Sequence, residues 1–439
     1  MGQPTRRIPF REVISVQIHV VLPGETLSSI GRQYGLPPGL IARYNGLEDA
    51  NRLAVGQSLL ILFPAQTYTV QPGDTLFSAA NLLGVTALQL LRDNPNLGGL
   101  PALYPGQVLV AGFDDVRTRS VEVTGYAYPF ADTSVLRGIL PYASALIPFT
   151  YGIAADGGVV PLEDETLIAL AQQYGVRPLM HLSTLTEDGS FSSARASAVL
   201  RSAEARRQLA DAVISAMLAK GYEGLDVDFE YVDPEDAALY ASFLGQLRQR
   251  VNALGYGLTA ALAPKTYAEQ PGVLYQGHNY ALIGQNADVL LLMTYEWGYA
   301  YGPPMAVAPL ASVRRVLDYA VSEFPAQKVL LGIPNYAYDW TLPFVAGSSR
   351  ARLIGNQDAV ALAVRQGAEI QFDSTAATPW FTYTDGSGSV HEVWFEDARS
   401  IQAKLDLIEE YGLRGAGYWN FMRPFVANFS LLNARFQID

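Results

Sequence analysis

The stretch GYEGLDVDFEYV, Gly221 to Val232, decides how this 439-residue chain reads. Side chains alternate along a strand, so Asp226, Asp228 and Glu230 share one face while Leu225, Val227 and Phe229 share the other. A file of carboxylates backed by apolar residues fits a barrel strand, with one face under covering helices and the other turned into the barrel. Carboxylates two residues apart lie about 6.5 Å apart along a strand, close enough for like-charge repulsion to raise at least one pKa. A shared proton is expected, and a protonated Glu230 at the C-terminal end of the strand is the candidate general acid. The structural alternative is a solvated acidic strand end, and the apolar flanks speak against it.

Outward from this stretch, apolar strands alternate with helical segments. VEVTGYAYPF (Val121 to Phe130), SALIPFTYGI (Ser144 to Ile153), VRPLMHLST (Val176 to Thr184), GLDVDFEYV, GLTAALAPK (Gly257 to Lys265), DVLLLMTYEW (Asp288 to Trp297), KVLLGIPNYAY (Lys328 to Tyr338) and GAGYWNF (Gly415 to Phe421) make eight. Helical patterns at Glu163 to Tyr174, Arg206 to Lys220 and Arg399 to Tyr411 fall between them. Strands joined by crossover helices form parallel sheets, and eight such units predict an α/β fold, a closed (β/α)8 TIM barrel over residues 118–439. WFTYTDGSGSVHEVWF (Trp380 to Phe395), two alternating runs around a Gly-rich turn, reads as an inserted hairpin or small α+β element walling one side of the cleft.

Before the barrel the chain repeats itself. VLPGETL at Val21 to Leu27 matches VQPGDTL at Val70 to Leu76, a shift of 49 positions, and each copy continues into a helical pattern, an Asn (Asn45, Asn94) and a Gly-Gln before an apolar strand. Each copy predicts a βααβ module, residues 17–64 and 66–113, with Thr26 or Thr75 as helix N-cap. A unit this small has little core and usually exists to bind something. Residues 1–16 read as a leader or cloning remnant, with no apolar h-region and cleavage site of a signal peptide.

Composition sets limits. With 49% hydrophobic and 16% charged residues the chain is globular rather than disordered. A net charge of -12 with no long Lys/Arg run is ill-suited to nucleic acid. The absence of cysteine removes disulfides, thiolate metal ligands and a Cys nucleophile. The four histidines match no metal spacing, so neither metal nor cofactor is expected. No apolar run reaches the length of a membrane span, and a monomer is expected.

The two repeats resemble LysM domains end to end. That likeness implies binding of glycans containing N-acetylglucosamine, with Gly24, Glu25 and Thr26, and Gly73, Asp74 and Thr75, on one groove wall of each module. The alternative is that these residues only cap and turn. Residues Val121 to Asp439 resemble glycoside hydrolase family 18, whose signature D-G-x-D-x-D-aromatic-E is filled by Gly224, Asp226, Asp228, Phe229 and Glu230, with Glu223 replacing the first Asp. MTYEW at Met293 to Trp297 looks like the family's Met-x-Tyr-Asp, with Glu296 in place of the Asp, and Trp419 falls where the eighth-strand Trp floors the sugar site.

The resemblance implies a retaining mechanism in which the substrate's 2-acetamido oxygen attacks the anomeric carbon and an oxazolinium ion forms. The roles it carries over are Glu230 as acid and then base, Asp228 orienting the acetamido group, Asp226 managing the charge of Asp228, and Tyr295 donating to the acetamido oxygen. Tyr126, Met293, Trp297 and Trp419 are the expected substrate-binding residues, since flat rings stack on sugars at small entropic cost. LysM pairs ahead of such a barrel look similar to the cortical-fragment-lytic N-acetylglucosaminidases of bacterial endospores. That implies a peptidoglycan hydrolase of the spore coat or cortex, or of the cell wall, cleaving after N-acetylglucosamine. A chitinase is the enzymatic alternative; a silent glycan-binding or spore-coat protein is the alternative of another class, and the presence of Glu230 argues against it.

Overall fold

The computed structural model describes residues 16–439 apart from 48, 115, 116 and 118. The expected leader therefore lies, except for Val16, outside the described residues. In the first module, strand Gln17–Val20 pairs antiparallel with Ser58–Ile61 around helices Leu27–Tyr34 and Pro38–Asn45. In the second, Pro64–Thr69 pairs with Val108–Phe113 around Leu76–Leu83 and Ala87–Asp93. Thr26 and Thr75 cap their helices as expected, each hydroxyl accepting from the backbone N–H three residues on, at 3.1 Å.

The recurring Asn also has a physical reason. The Asn45 amide donates to the carbonyls of Ile41 and Leu60 at 2.8 Å and accepts from Leu60 N–H at 2.7 Å. Asn94 repeats the pattern with Leu90 and Val110. One buried side chain thus ties the second helix to the closing strand in a unit with little apolar core.

All eight expected barrel strands are present. They run Ser120–Ala127, Ala145–Pro148, a third in two pieces (Arg177–Pro178 and Met180–Ser183), Gly224–Asp228, Gly257–Leu262, Val289–Leu292, Val329–Pro334 and Gly415–Trp419. Each pairs in parallel with its neighbours, and the third strand closes the ring, its first piece on the second strand and its second piece on the fourth. The alternation divides residues between two cores. Val123, Leu146, Leu225, Val227, Leu290 and Leu331 pack beneath the helices, whereas Tyr126, Ile147, Leu179, Leu291 and Leu330 fill the barrel interior.

Two segments differ from their reading. The acidic strand ends at Asp228, so Glu230 stands in the turn beyond it, while Phe229 stays in the outer core, stacked on Tyr240 at 5.4 Å. KVLLGIPNYAY divides at Asn335, whose amide donates to the carbonyls of Asn420 at 2.8 Å and Arg423 at 2.9 Å and pins the backbone there. Its second half, Ala337–Leu342, opens a five-stranded antiparallel sheet with Arg352–Ile354, Gln371–Asp373, Thr378–Thr384 and Val390–Trp394, plus helix Asn356–Gln366. The expected hairpin is the Thr378–Thr384 and Val390–Trp394 pair within this larger insertion.

The modules are docked on the barrel. Tyr44, Leu60, Val110 and Phe113 join the same apolar core as the barrel's Tyr142 and Phe429. Asp93, fully buried, accepts from Asn433 at 2.9 Å and from Gly112 N–H at 2.8 Å, and Tyr44 donates to the Asp93 carbonyl at 3.0 Å. Arg92 donates to the carbonyls of Pro141 and Ile438.

Candidate active site

The barrel register sets His181 opposite Asp226 and Ser183 opposite Asp228. Asp226 is fully buried; its Oδ2 accepts from the Tyr126 hydroxyl at 3.0 Å and lies 2.7 Å from His181 Nδ1. The Oδ1 atoms of Asp226 and Asp228 have no hydrogen-bond partner in the protein. Burial, then the neighbouring Glu230, then Asp226, push the Asp228 carboxyl well above the usual carboxylate range. Burial likewise raises Glu230, which is half-buried at the mouth of the barrel. Asp226, Asp228 and Glu230 thus come together as the alternation predicts, two of them favouring a proton.

Past the end of the sixth strand at Leu292 the backbone tightens, Thr294 N–H donating to the Leu292 carbonyl and Tyr295 N–H to the Met293 carbonyl, both at 2.8 Å, and leaves Met293 and Tyr295 half-buried. Burial raises the Tyr295 phenol well above its ordinary value, and Asp228 and Glu230 raise it further, so it stays a hydrogen-bond donor. Gly332 makes room for its ring: a Cβ there would sit 3.0 Å from Tyr295 Cε1 and 2.2 Å from the Leu292 carbonyl oxygen. Trp419, half-buried at the end of the eighth strand, packs on Tyr126, Phe149 and Tyr128 with ring centroids 5.4, 5.0 and 6.1 Å away. Trp297 is half-buried against the outer core, outside this ring cluster, and its backbone N–H donates to the Val307 carbonyl at 3.0 Å.

Glu296 adopts φ 65°, a left-handed conformation that a side chain rarely takes without compensation. Its carboxylate accepts from the hydroxyls of Tyr336 and Tyr338, which stand where the seventh strand passes into the insertion. The replacement of Asp by the longer Glu therefore tethers the sixth-strand loop to the insertion. Tyr336, Tyr338 and Trp340 are buried.

On the modules, Gly24, Thr26, Gly73 and Thr75 are exposed, and Glu25 and Asp74 half-exposed. The glycines at φ 83° and 91° make the turns. Glu25 closes its turn by accepting from Leu22 N–H at 2.7 Å and pairing with His19 at 2.9 Å; Asp74 does the same with Gln71 N–H and the Tyr68 hydroxyl. The capping and turning reading thus accounts for the two carboxylates and the two Thr hydroxyls.

Sequence reasoning passed over His181 as one of four scattered histidines. The rule that aligned the carboxylates would have found it, because His181 lies two residues from Leu179, which faces the interior. Phe149, stacked on His181 at 4.8 Å, follows the last residue of the second strand and carried no signal of its own in the sequence. Among the described residues no group of three or more His, Asp or Glu side chains has the placement to hold a metal ion, and no helix is long and apolar enough to cross a membrane.

A buried acidic file at the C-terminal mouth of a parallel barrel, flanked by a tyrosine and a half-open tryptophan, defines a glycosidase site. Residues 165–423 match Glycosyl hydrolases family 18, and residues 19–62 and 68–112 each match the LysM domain. The chain belongs to glycosyl hydrolase family 18 and is a glycoside hydrolase. It is 37% identical over 431 residues to the cortical fragment-lytic enzyme of Bacillus subtilis (strain 168), covering 96% of this chain and 99% of that one. Among solved structures it is similar to the spore cortex-lytic enzyme SleL of Bacillus cereus (36% identity, TM-score 0.82, 97% and 99% of the two chains). The same enzyme from Bacillus megaterium QM B1551 gives 35% identity and a TM-score of 0.81 over the same shares.

Proposed function

We propose that the chain hydrolyses spore-cortex peptidoglycan after N-acetylglucosamine, by a retaining, substrate-assisted route. The observation that carries this reading is the end-to-end likeness to a cortical fragment-lytic enzyme, both modules included. Family 18 is an exception to the two-carboxylate scheme, the substrate's own acetamido group replacing the enzymic nucleophile. Glu230, at the cleft mouth and raised by burial, donates its proton to the leaving glycosidic oxygen as that bond breaks. The acetamido oxygen attacks the anomeric carbon, and Asp228 accepts from the acetamido N–H as positive charge spreads over the ring that forms. Tyr295 donates to the acetamido oxygen and fixes its angle of attack. Glu230, now ionised, takes a proton from water, which opens the oxazolinium with the original configuration restored.

Asp226, held by Tyr126 and His181, is the neighbour that manages the charge of Asp228. Tyr126, Met293 and Trp419 bind the sugar around the scissile bond, Trp419 as its floor; Trp297, the fourth residue expected there, packs on the outer core outside the ring cluster and is given no contact with the sugar. The modules, bounded at 17–64 and 66–113 ahead of a barrel at 118–439, bind the polymer through the exposed turns at Gly24 to Thr26 and Gly73 to Thr75. The site of action is the spore coat or cortex.

The test is mass spectrometry of products from spore-cortex fragments and, in parallel, chitin oligosaccharides. Cortex fragments ending in reducing N-acetylglucosamine support the reading. Turnover of chitin alone moves the chain to the chitinases, and no product from either leaves a glycan-binding protein.

A further inference from the structure

The two modules differ where the last loop of each meets its Pro-Gly turn. In both, that loop is tied to the strand before the turn: Gly56 N–H donates to the Val21 carbonyl at 2.8 Å, and Gly106 N–H to the Val70 carbonyl at 2.9 Å. The loops are built alike. Gln57 N–H donates to the Ala54 carbonyl and Gln57 Oε1 accepts from Ala54 N–H, both at 3.1 Å. Gln107 does the same with Tyr104 at 3.0 and 3.2 Å. Ala54 and Tyr104 are therefore counterparts, and so are Ser28 and Phe77, each the second residue of its Thr-capped helix.

What covers these positions is not the same. In the first module the loop is closed by the insertion and by helix Ala398–Tyr411. Ala54 is buried in the insertion's own apolar core with Leu362, Ile370 and Phe381. The Val55 carbonyl accepts from Ile370 N–H at 2.9 Å and the Gly56 carbonyl from the Arg399 guanidinium at 3.2 Å. A Cβ on Gly56 would sit 1.9 Å from the Ile370 carbonyl oxygen. The second module docks on the barrel further upstream, where the Tyr174 hydroxyl donates to the Gly99 carbonyl at 2.9 Å, and its last loop stays open. A Cβ on Gly106 would meet nothing within 4 Å, and Tyr104 is 70% exposed. Phe77 is 69% exposed where the first module carries a serine. Packing within the module requires neither ring to stand in water, and large apolar groups left exposed together mark a contact surface.

The surroundings set the partner's chemistry. Within Gln71 to Ser78 and Leu100 to Gly106 the one charged residue is Asp74, whose carboxylate is taken up by Gln71 N–H and the Tyr68 hydroxyl. An uncharged surface with two open rings suits the flat apolar faces of neutral pyranose rings, and residues 68–112 match the LysM domain. We propose a division of labour: the second module carries most of the affinity for insoluble glycan, through Phe77 and Tyr104, while the first, its loop closed by the insertion, is the joint that fixes the pair against the barrel. The choice of a glycan strand as the partner rests on the reading of the chain as a peptidoglycan hydrolase.

The experiment exchanges the counterparts. Phe77→Ser and Tyr104→Ala give the second module the residues of the first, and Leu22→Ala, at a 59% exposed residue of the first module's turn, is the control. Each is made in the full chain carrying Glu230→Gln, so that the polymer stays whole, and binding isotherms are read on insoluble spore-cortex peptidoglycan and on chitin. The cleft is common to all these proteins, so differences among them report the modules. Each ring substitution is expected to weaken polymer binding about tenfold, with the melting temperature unchanged, and Leu22→Ala to bind as its parent does. With Glu230 restored, all are expected to hydrolyse short soluble fragments at the wild-type rate. Undiminished binding when both rings are replaced, an equal loss in Leu22→Ala, or no polymer binding by the parent overturns the proposal. So does a parent dimer in sedimentation that Phe77→Ser dissolves, which would assign the rings to a second copy of the chain. Failure of the wild type to cleave cortex fragments, with these binding differences intact, would refute the functional reading alone.

Discussion

Replacing Glu230 with Gln keeps the side chain's shape and removes the proton it gives to the leaving oxygen. General acid–base help is worth about 10² to 10⁴ in rate, which at about 1.36 kcal/mol per decade is about 3 to 5 kcal/mol of barrier. The structure points to the upper half of that range, because no neighbouring carboxyl is placed to substitute. Asp228 is 5% exposed and Asp226 fully buried, both deeper in the barrel than the half-buried Glu230. The expected loss in kcat is therefore about 10³ or more, with KM changed only a few-fold since the amide still fills its place. A second effect follows from the charges: the amide removes the repulsion that is the second cause of the raised Asp228 carboxyl, so Asp228 ionises at lower pH than in the wild type. Steady-state kinetics on soluble cortex fragments read the first effect, and NMR titration of a carboxyl-labelled protein reads the second. A loss below tenfold in kcat would refute the assignment of Glu230, and an unmoved Asp228 titration would refute the coupling.

Asp228→Asn is expected to trade activity for stability. The raised carboxyl contributes stability that is fully present below its unfolded value of about 3.9 and lost as pH rises through the higher folded value. The variant should therefore melt above the wild type at pH 7, with the gap closing toward pH 4, while kcat collapses; equal melting at pH 7 in scanning calorimetry would contradict this. Tyr126→Phe removes a hydrogen bond to a buried carboxylate, worth about 1.5–3 kcal/mol, and should lower kcat about 10- to 100-fold with little change in KM. An unaltered kcat would mean that Asp226 needs no such support. Phe113→Ala opens the joint between the two modules, where the ring meets Tyr44 of the first module edge-on at 5.3 Å within the core they share with the barrel. A loss of about 3–5 kcal/mol should lower the single melting transition by about three to five degrees, given about 2.1 cal/mol/K of unfolding entropy per residue; a separate early transition would show the modules folding apart from the barrel.

Apolar runs spaced by helical patterns were enough to place all eight barrel strands, and period-two alternation brought Asp226, Asp228 and Glu230 to one face, because a barrel strand must sort its residues between two cores. The turn signals likewise predicted both modules and the caps at Thr26 and Thr75. What stayed hidden depends on contacts distant in sequence. Alternation could have put His181 on the interior face, but its pairing with Asp226 rests on the register between the third and fourth strands, and Glu296 meets Tyr336 and Tyr338 only because the insertion begins at Asn335. The docking of the modules was invisible for the same reason: Arg92, Asp93 and Asn94 read as an ordinary polar helix end, yet all three are buried against the closing strand or the barrel.

The central claim is that the substrate's own acetamido group does the work of a nucleophile beside Glu230. Its most direct test is the initial rate on two matched soluble fragments that differ only in carrying or lacking the N-acetyl group on the sugar at the cleaved bond. Hydrolysis of the acetylated fragment with no detectable turnover of the other is the predicted result; comparable rates on both would contradict the mechanism.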